Sequence, residues 1–207
     1  MKMISTELYT ALYLAIALIF VAIRLGYAEP FYYFKRVLVD DTFVRLYEKG
    51  LKRWRNALIL LTIASTLVYA VYLTQLSEIR TTHSFNFLTG SLVVAVLLLL
   101  KWGARRGLAF AHKDASFFEM AQVQAQTYFA YGALIAFSLG VLLSVYPEQH
   151  LLFEYLLVSI ILALQTKCYY GVIKHLLRRK SERLVLFIFY LCALEIAPVV
   201  VVYTLSI

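Results

Sequence analysis

The stretch ALILLTIASTLVYAVYLTQL, residues 57–76, decides the fold because its twenty residues carry no charge. About 20 apolar residues in a helix cross the hydrocarbon core of a bilayer. Arg55 stands just before this stretch, and Glu78 stands just after it. The pattern therefore predicts a transmembrane helix that is bounded by charged residues at both ends.

The composition of the whole chain is typical of a membrane protein. Of the 207 residues, 62% are hydrophobic and 15% are charged, and the mean hydropathy is +0.77. Soluble domains average about 45–50% apolar and about 25% charged residues. With three prolines, eight glycines and no low-complexity tract, the sequence contains no linker between domains. We therefore predict a single membrane domain over residues 1–207.

Five further stretches resemble residues 57–76 in length and apolar character. The predicted spans are about 7–24, 57–76, 85–102, 125–146, 151–173 and 184–205. A cleavable signal peptide ending at GYA, residues 26–28, is an alternative for the first span. Glu7 and Arg24 argue against cleavage, because they fit neither the basic start nor the apolar middle of such a peptide. The predicted fold class is all-α, a polytopic membrane protein with six transmembrane helices.

The distribution of lysine and arginine predicts the orientation of these spans. The odd-numbered connections hold 17 of the 20 basic residues, whereas the other side holds only Lys2 and Arg80. Connections rich in Lys and Arg remain in the cytoplasm. We therefore predict that both termini lie outside (N-out/C-out). The net charge of +8 then reflects topology, and we expect no nucleic acid as a partner.

The connection between spans 1 and 2 mixes aromatic and basic residues at helical spacing. This pattern predicts an interfacial amphipathic helix on anionic headgroups at the cytoplasmic face. It is either a docking surface for a partner or, as we favour, an anchor that fixes the second span. The residues predicted to contact lipid or the interface are Phe43, Tyr47, Lys49, Lys52, Arg53, Trp54 and Arg55.

Motifs for catalysis do not stand out in this sequence. No P-loop, dinucleotide-binding turn, HExxH or GxSxG is present. The predicted topology puts His83 and His150 outside and His112 and His175 in the cytoplasm, so they cannot form one cluster. We expect no cofactor, no metal and no catalytic residue, and the sequence favours a protein that is not an enzyme.

Polar residues at membrane depth form a candidate site between spans 4, 5 and 6. Glu195 lies about 16 Å into the last span at 1.5 Å per residue. An ionisable residue at this depth is costly and is a functional candidate. Pro198 lacks the N–H that would bond the carbonyl of Leu194, so a kink is predicted beside Glu195. The other predicted members of the site are Lys167, Gln165, Gln124, Thr127, Tyr128 and Tyr131.

Two interpretations of Glu195 remain open. In the first, it hydrogen-bonds Lys167, a glutamine or a tyrosine, and the contact clasps neighbouring helices together. In the second, it lines a polar cavity that carries a proton, an ion or a small substrate. Interhelical polar contacts average below about 1 kcal/mol in membranes, so a clasp would specify packing more than stability.

The C-terminal run FIFYLCALEIAPVVVVY, residues 187–203, resembles the end of an uncharacterised bacterial membrane family, domain of unknown function 4271. That family is found mainly in Bacteroidota, and it closes with Tyr-Leu-Cys-Ala/Thr-Leu-Glu-Ile-x-Pro. Residues 190–196 and Pro198 match this motif, whereas Val199 stands where leucine is more frequent. Residues 29–55 are similar to the first connection of the family. The resemblance implies an integral protein of the bacterial cytoplasmic (inner) membrane, and it implies no reaction.

The sequence therefore favours a multi-pass inner-membrane protein without enzymatic activity, acting as a subunit or accessory of a membrane assembly. Its expected partners are the bilayer and other membrane proteins. The alternative is a small transporter or proton-linked channel centred on Glu195. Short loops and the missing catalytic motifs favour the first, and the absence of an evident internal repeat weakens the second.

Overall fold

Helices form every element of the computed structural model, which describes residues 2–36, 52–80 and 115–177 and five further helical positions between 92 and 103. The helices are α1 (Lys2–Gly26), α2 (Ala28–Lys35), α3 (Lys52–Arg80), α4 (Ala115–Val145) and α5 (His150–Leu177). A 3₁₀ turn, Pro147–Gln149, joins α4 to α5. Within these ranges the fold is all-α, as predicted.

Four of the described helices are long and apolar enough to cross a membrane. Their apolar segments are Glu7–Gly26, Lys52–Leu76, Ala121–Val145 and Pro147–Tyr170. They coincide with the predicted spans 1, 2, 4 and 5. The sixth predicted span lies outside the described residues. The third is represented by Leu92, Ala95, Val96 and Leu99, which are helical and share one face.

The helices extend beyond the predicted spans at most of their ends. The α3 helix begins at Lys52 and ends at Arg80, although its uncharged stretch covers only residues 57–76. Hydropathy marks where a helix meets the apolar layer, whereas hydrogen bonding and side-chain contacts decide where it ends. Long basic side chains at the start of α3 can extend toward water while the backbone remains helical.

A short helix, α2, follows α1 after a bend at Tyr27, where φ is −131° and ψ is 50°. Pro30 occupies the first turn of α2, where its missing N–H breaks no helical hydrogen bond. Phe31 and Phe34 are buried against the bundle, and Phe34 is fully enclosed. The sequence predicted an interfacial helix farther along this connection. Of its residues, Phe43, Tyr47 and Lys49 lie outside the described ranges.

Contacts between side chains fix the relative directions of the helices. Tyr13 of α1 bonds Gln75 of α3, and Arg53 of α3 donates to the Gly26 carbonyl of α1, so these two helices are antiparallel. Gln75 also bonds Ser144 of α4. Earlier along both helices, the Tyr69 hydroxyl of α3 donates to the Phe129 carbonyl of α4 at 3.4 Å. These two contacts come in the same order along α3 and along α4, so the two helices run parallel.

The parallel arrangement constrains the chain between α3 and α4. Two adjacent parallel helices begin at the same end of a bundle. The described part of α3 therefore ends, at Arg80, at one end of the bundle, and the described part of α4 begins, at Ala115, at the other end. The α4 and α5 helices are antiparallel. The short turn Pro147–Gln149 joins them, and Gly132, about 15 residues before this turn, lies beside Leu164, about 15 residues after it.

Small residues of α4 allow close packing at the centre of the bundle. Ala130, Ala133 and Ala136 are fully buried. A Cβ atom added to Gly132 would lie 2.6 Å from the Tyr69 hydroxyl, and one added to Gly140 would overlap the Tyr13 ring. Small residues are enriched where membrane helices approach closely, since lipid chains supply no hydrophobic force between helices.

Candidate intramembrane polar site

The predicted polar residues of α4 share one helix face, as their spacing requires. Gln124, Thr127 and Tyr128 are buried, and Tyr131 is half-buried. The Thr127 hydroxyl donates to the carbonyl of Val123 at 2.7 Å. Its hydrogen-bonding capacity is therefore used within its own helix, a common arrangement for threonine in apolar helices.

The two tyrosines of this face contact largely apolar neighbours. Tyr128 packs with Leu164 and Cys168 of α5 in a small buried cluster. Tyr131 lies against Phe34 of α2, with 6.0 Å between ring centroids. The face thus meets α5 and α2 through aromatic and aliphatic surface.

The remaining predicted members of the site lie on α5 or beyond it. Gln165 is half-buried, and Lys167 is exposed. Glu195 and Pro198 lie outside the described residues. The choice between a clasp and a cavity at Glu195 therefore remains a prediction, as does the transporter alternative.

A second polar group, which the sequence reasoning missed, joins three helices. The Tyr13 hydroxyl donates to Gln75 Oε1 at 2.9 Å. Gln75 Nε2 donates to Ser144 Oγ at 3.0 Å, and Ser144 in turn donates to the Gly140 carbonyl at 3.1 Å. We call Tyr13, Gln75 and Ser144 the tyrosine–glutamine clasp. It connects α1, α3 and α4 with two bonds between side chains.

More tyrosines surround the clasp at the same end of the bundle. Tyr9, one turn before Tyr13, is buried and lies near the Glu78 carboxylate at the end of α3. Tyr72, one turn before the clasp glutamine on α3, is 2% exposed, and its hydroxyl has no hydrogen-bond partner among the described residues. An unmade hydrogen bond of a buried group costs about 1–3 kcal/mol. This end of the bundle therefore concentrates the interhelical polar contacts.

Three signals in the sequence could have indicated the clasp. Gln75 is the only amide side chain within residues 57–76. Gly140 stands between Leu139 and Val141, and Tyr13 follows Tyr9 by one helical turn. None of these signals identifies its partner, because the pairing depends on which helices become neighbours.

The opposite end of the bundle is basic. Lys52, Arg53 and Arg55 are exposed, and their contact with the membrane interface stays a prediction. Trp54 differs from the prediction that it contacts lipid, because it is 2% exposed and packs on Tyr33 with 5.7 Å between ring centroids. The α2 helix covers this indole, so the ring lies inside the protein.

The described ranges contain His, Cys and Glu side chains, which are common protein ligands of metal ions. No group of three or more His, Cys, Asp or Glu side chains there is placed to hold a metal ion. The Cys168 side chain is buried and belongs to the apolar cluster around Tyr128.

No curated protein and no solved structure shows significant similarity to the chain. A family model does match, over residues 9–205, and its description is Domain of unknown function (DUF4271). The match covers all four apolar helices and both polar groups described above. The chain belongs to this family of domains of unknown function.

Proposed function

We propose that the protein is a six-span component of a bacterial inner membrane, with both termini outside. The parallel packing of α3 and α4 supports a third span, since the intervening chain has to return across the bundle. A crossing helix of about 20 residues spans about 30 Å, and residues 81–114 are long enough to contain one.

The charge distribution of the described helices supports the proposed orientation. The basic side chains at the end where α1 meets α3 are Arg24, Arg36, Lys52, Arg53 and Arg55, and Glu29 is the acidic exception. The acidic side chains at the opposite end are Glu7, Glu78, Glu148 and Glu154. Basic ends of membrane bundles face the cytoplasm. The clasp end is therefore the outer end in this proposal.

Cysteine labelling in intact cells tests this orientation. In a chain carrying Cys168→Ala and Cys192→Ala, Glu148→Cys is expected to react with a membrane-impermeant maleimide added outside. Arg36→Cys is the matched control, and it is expected to react only after the membrane is opened. Reaction of Arg36→Cys in sealed cells would reverse the proposed orientation.

For the biochemical role, we propose a non-enzymatic subunit or accessory of a membrane assembly. The observation that supports it is that four of the five buried polar residues in the described interior bond other groups of the protein, whereas the buried Tyr72 hydroxyl has no partner there. All five buried polar residues there, Ser65, Thr74, Gln75, Gln124 and Thr127, are neutral. Ser65, Thr74 and Thr127 donate to carbonyls of their own helices, and Gln75 belongs to the clasp.

This pattern fits a packed scaffold better than a path for a solute. A transport path needs polar groups that can exchange partners with water or with an ion. A hydroxyl bonded to the carbonyl one turn earlier offers little to a passing solute, and the clasp amide is already engaged on both sides. The interior of the described bundle therefore has the character of a structural core.

Purification from native membranes in a mild detergent tests the role. We expect the tagged chain to co-purify with at least one membrane protein in a fixed molar ratio that survives size-exclusion chromatography. The purified chain in proteoliposomes is expected to leave proton and ion permeability unchanged. A partner-free chain that conducts protons, and that stops doing so with Glu195→Gln, would overturn the proposal in favour of transport.

A further inference from the structure

The Tyr72 hydroxyl is a buried polar group that the described part of the protein leaves without a hydrogen bond. The side chain is 2% exposed, and its oxygen has no hydrogen-bond partner among the described residues. Buried polar side-chain atoms nearly always have a partner, which is either a protein group or an ordered water molecule. A tyrosine hydroxyl can donate one hydrogen bond and can also accept. Its polar neighbours therefore decide what it can bind.

Polar groups of two other helices lie close to this hydroxyl without bonding it. One is the Glu154 carboxylate of α5, and the other is the Tyr13 hydroxyl of α1. The neighbours of Glu154 along α5, Phe153 and Leu157, belong to the same buried cluster as Tyr72. A donor on α3 is thus close to acceptor oxygens on α1 and α5, and it bonds neither of them.

Both neighbouring groups can accept a further hydrogen bond. Tyr13 uses its proton in the bond to Gln75, so its oxygen retains lone pairs that can accept. An ionised carboxylate has about four acceptor positions, so Glu154 can accept a bond besides its other contacts. Glu154 is only half-buried, and a water molecule can therefore reach this region from the surface.

A water molecule fits this set of groups better than a cation does. The Tyr72 O–H group needs an acceptor, which a cation cannot supply. Hard divalent cations take six or more oxygen ligands, whereas the charged group close to Tyr72 is a single carboxylate. A buried water molecule makes about three hydrogen bonds to groups that would otherwise lack partners, and it both accepts and donates.

We propose that an ordered water molecule binds at the Tyr72 hydroxyl, accepts its proton, and donates to the Glu154 carboxylate and to the Tyr13 oxygen. This water joins α5 to the tyrosine–glutamine clasp, whose side chains connect only α1, α3 and α4. A water-mediated hydrogen bond is nearly as favourable in enthalpy as a direct one. The site is the same whichever end of the bundle faces the cytoplasm, so it stands apart from the topology proposed above.

Tyr72→Phe removes only the hydroxyl, and the sign of its effect tests the site. If water occupies the site, the variant loses a satisfied hydrogen bond, and we expect full-length protein in detergent to melt about 2 °C lower. If the hydroxyl has no partner, its removal relieves an unmade hydrogen bond. An unchanged or higher melting temperature would therefore overturn the proposal.

Tyr155→Phe is the matched control for this substitution. Tyr155 lies on α5 next to Glu154 and is 71% exposed, so loss of its hydroxyl is expected to leave the melting temperature unchanged. Equal shifts for the two variants would contradict a site at Tyr72, because the effect would then not depend on burial.

A double-mutant cycle tests the role of Glu154. Glu154→Met keeps the length of the side chain and removes both acceptor oxygens. In that background the loss caused by Tyr72→Phe is expected to fall by at least half, because the water has already lost one of its partners. Additive losses would show that Glu154 and Tyr72 do not share a ligand.

A crystal structure at a resolution that resolves ordered water separates a bridging water from a direct bond. We expect a density peak about 2.7–2.8 Å from Tyr72 Oη, and we expect this peak to be missing from crystals of Tyr72→Phe. A direct hydrogen bond from Tyr72 to Glu154, or to any other protein group, would overturn the water site. Since the maleimide labelling does not involve Tyr72, failure of either proposal is recognised independently of the other.

Discussion

The two polar groups of the bundle satisfy their hydrogen bonds in different ways. In the tyrosine–glutamine clasp, side chains of α1, α3 and α4 bond one another. On the polar face of α4, Thr127 bonds the carbonyl of Val123 in its own helix, and the Tyr128 side chain packs on Leu164. Clusters of polar residues in a sequence therefore do not reveal which of them join helices, and isolated ones such as Gln75 can do so.

The largest effect on the clasp is expected from replacing Gly140, the glycine that leaves room for the Tyr13 ring. Gly140→Ala places a methyl group on the Tyr13 ring, so the ring has to move and its bond to Gln75 is lost. Overpacking of this kind costs about 1–3 kcal/mol. We expect a loss near the upper end of that range in the free energy of unfolding, measured by thermal melting or steric trapping in bicelles.

Gly26→Ala is the matched control for this substitution. No atom lies within 4 Å of a Cβ added at Gly26, so its effect on unfolding is expected to be small. Alanine has a higher helix propensity than glycine, so propensity alone would not destabilise either variant. Equal losses for the two variants would therefore contradict the steric role of Gly140.

Removing the central amide is expected to have the next largest effect. Gln75→Leu leaves the buried Tyr13 hydroxyl without its acceptor and removes the donor to Ser144. Interhelical hydrogen bonds in membranes average about 0.6 kcal/mol, and an orphaned buried hydroxyl adds to this loss, so we expect about 1–2 kcal/mol. A double-mutant cycle with Tyr13→Phe measures the coupling, and a coupling of zero would contradict the clasp.

A smaller effect is expected where α3 approaches α4. Gly132→Ala brings a Cβ atom to 2.6 Å from the Tyr69 hydroxyl, which is the far end of a side chain and can move by a small amount. We expect a loss of about 1 kcal/mol. Tyr69→Phe removes the obstructing oxygen, and the double variant should therefore regain most of the loss. Failure of this rescue would show that the obstruction lies elsewhere.

The smallest effect is expected on the polar face of α4. Thr127→Val keeps the shape of the side chain and removes a hydroxyl that bonds only its own helix among the contacts seen here. The change in the free energy of unfolding should stay below about 0.5 kcal/mol. A loss as large as that of Gln75→Leu would show that both polar groups hold helices together, and the contrast between them would disappear.

Much of the helical architecture follows from the sequence, because apolar length is a local property. Residues 57–76 and 125–146 each predicted a helix that the structure contains. The helix α2 was not predicted, since its apolar face is only Pro30, Phe31 and Phe34 and its stability depends on the bundle beneath it. Packing on the same short helix buries Trp54, which the sequence had assigned to the interface.

The site was harder to predict than the helices because its partners are distant in the sequence. Tyr13 and Gln75 are separated by 62 positions, and Gln75 and Ser144 by 69. Periodicity states which face a residue occupies, but it does not state which helix lies opposite. The predicted site at Glu195 also depends on a helix pairing, and Glu195 lies outside the described residues.

The parallel packing of α3 and α4 has a consequence for biogenesis. Antiparallel neighbours such as α4 and α5 can enter the bilayer together as a hairpin while the ribosome is still translating. In the proposed six-span topology the α3–α4 interface cannot form in that way, because a third span stands between these two helices in the sequence. Until residues 115–145 emerge, the buried face of α3 that carries Ser65, Val68 and Gln75 has no partner from α4. An insertion chaperone that shields polar membrane helices would be needed most during that interval of synthesis.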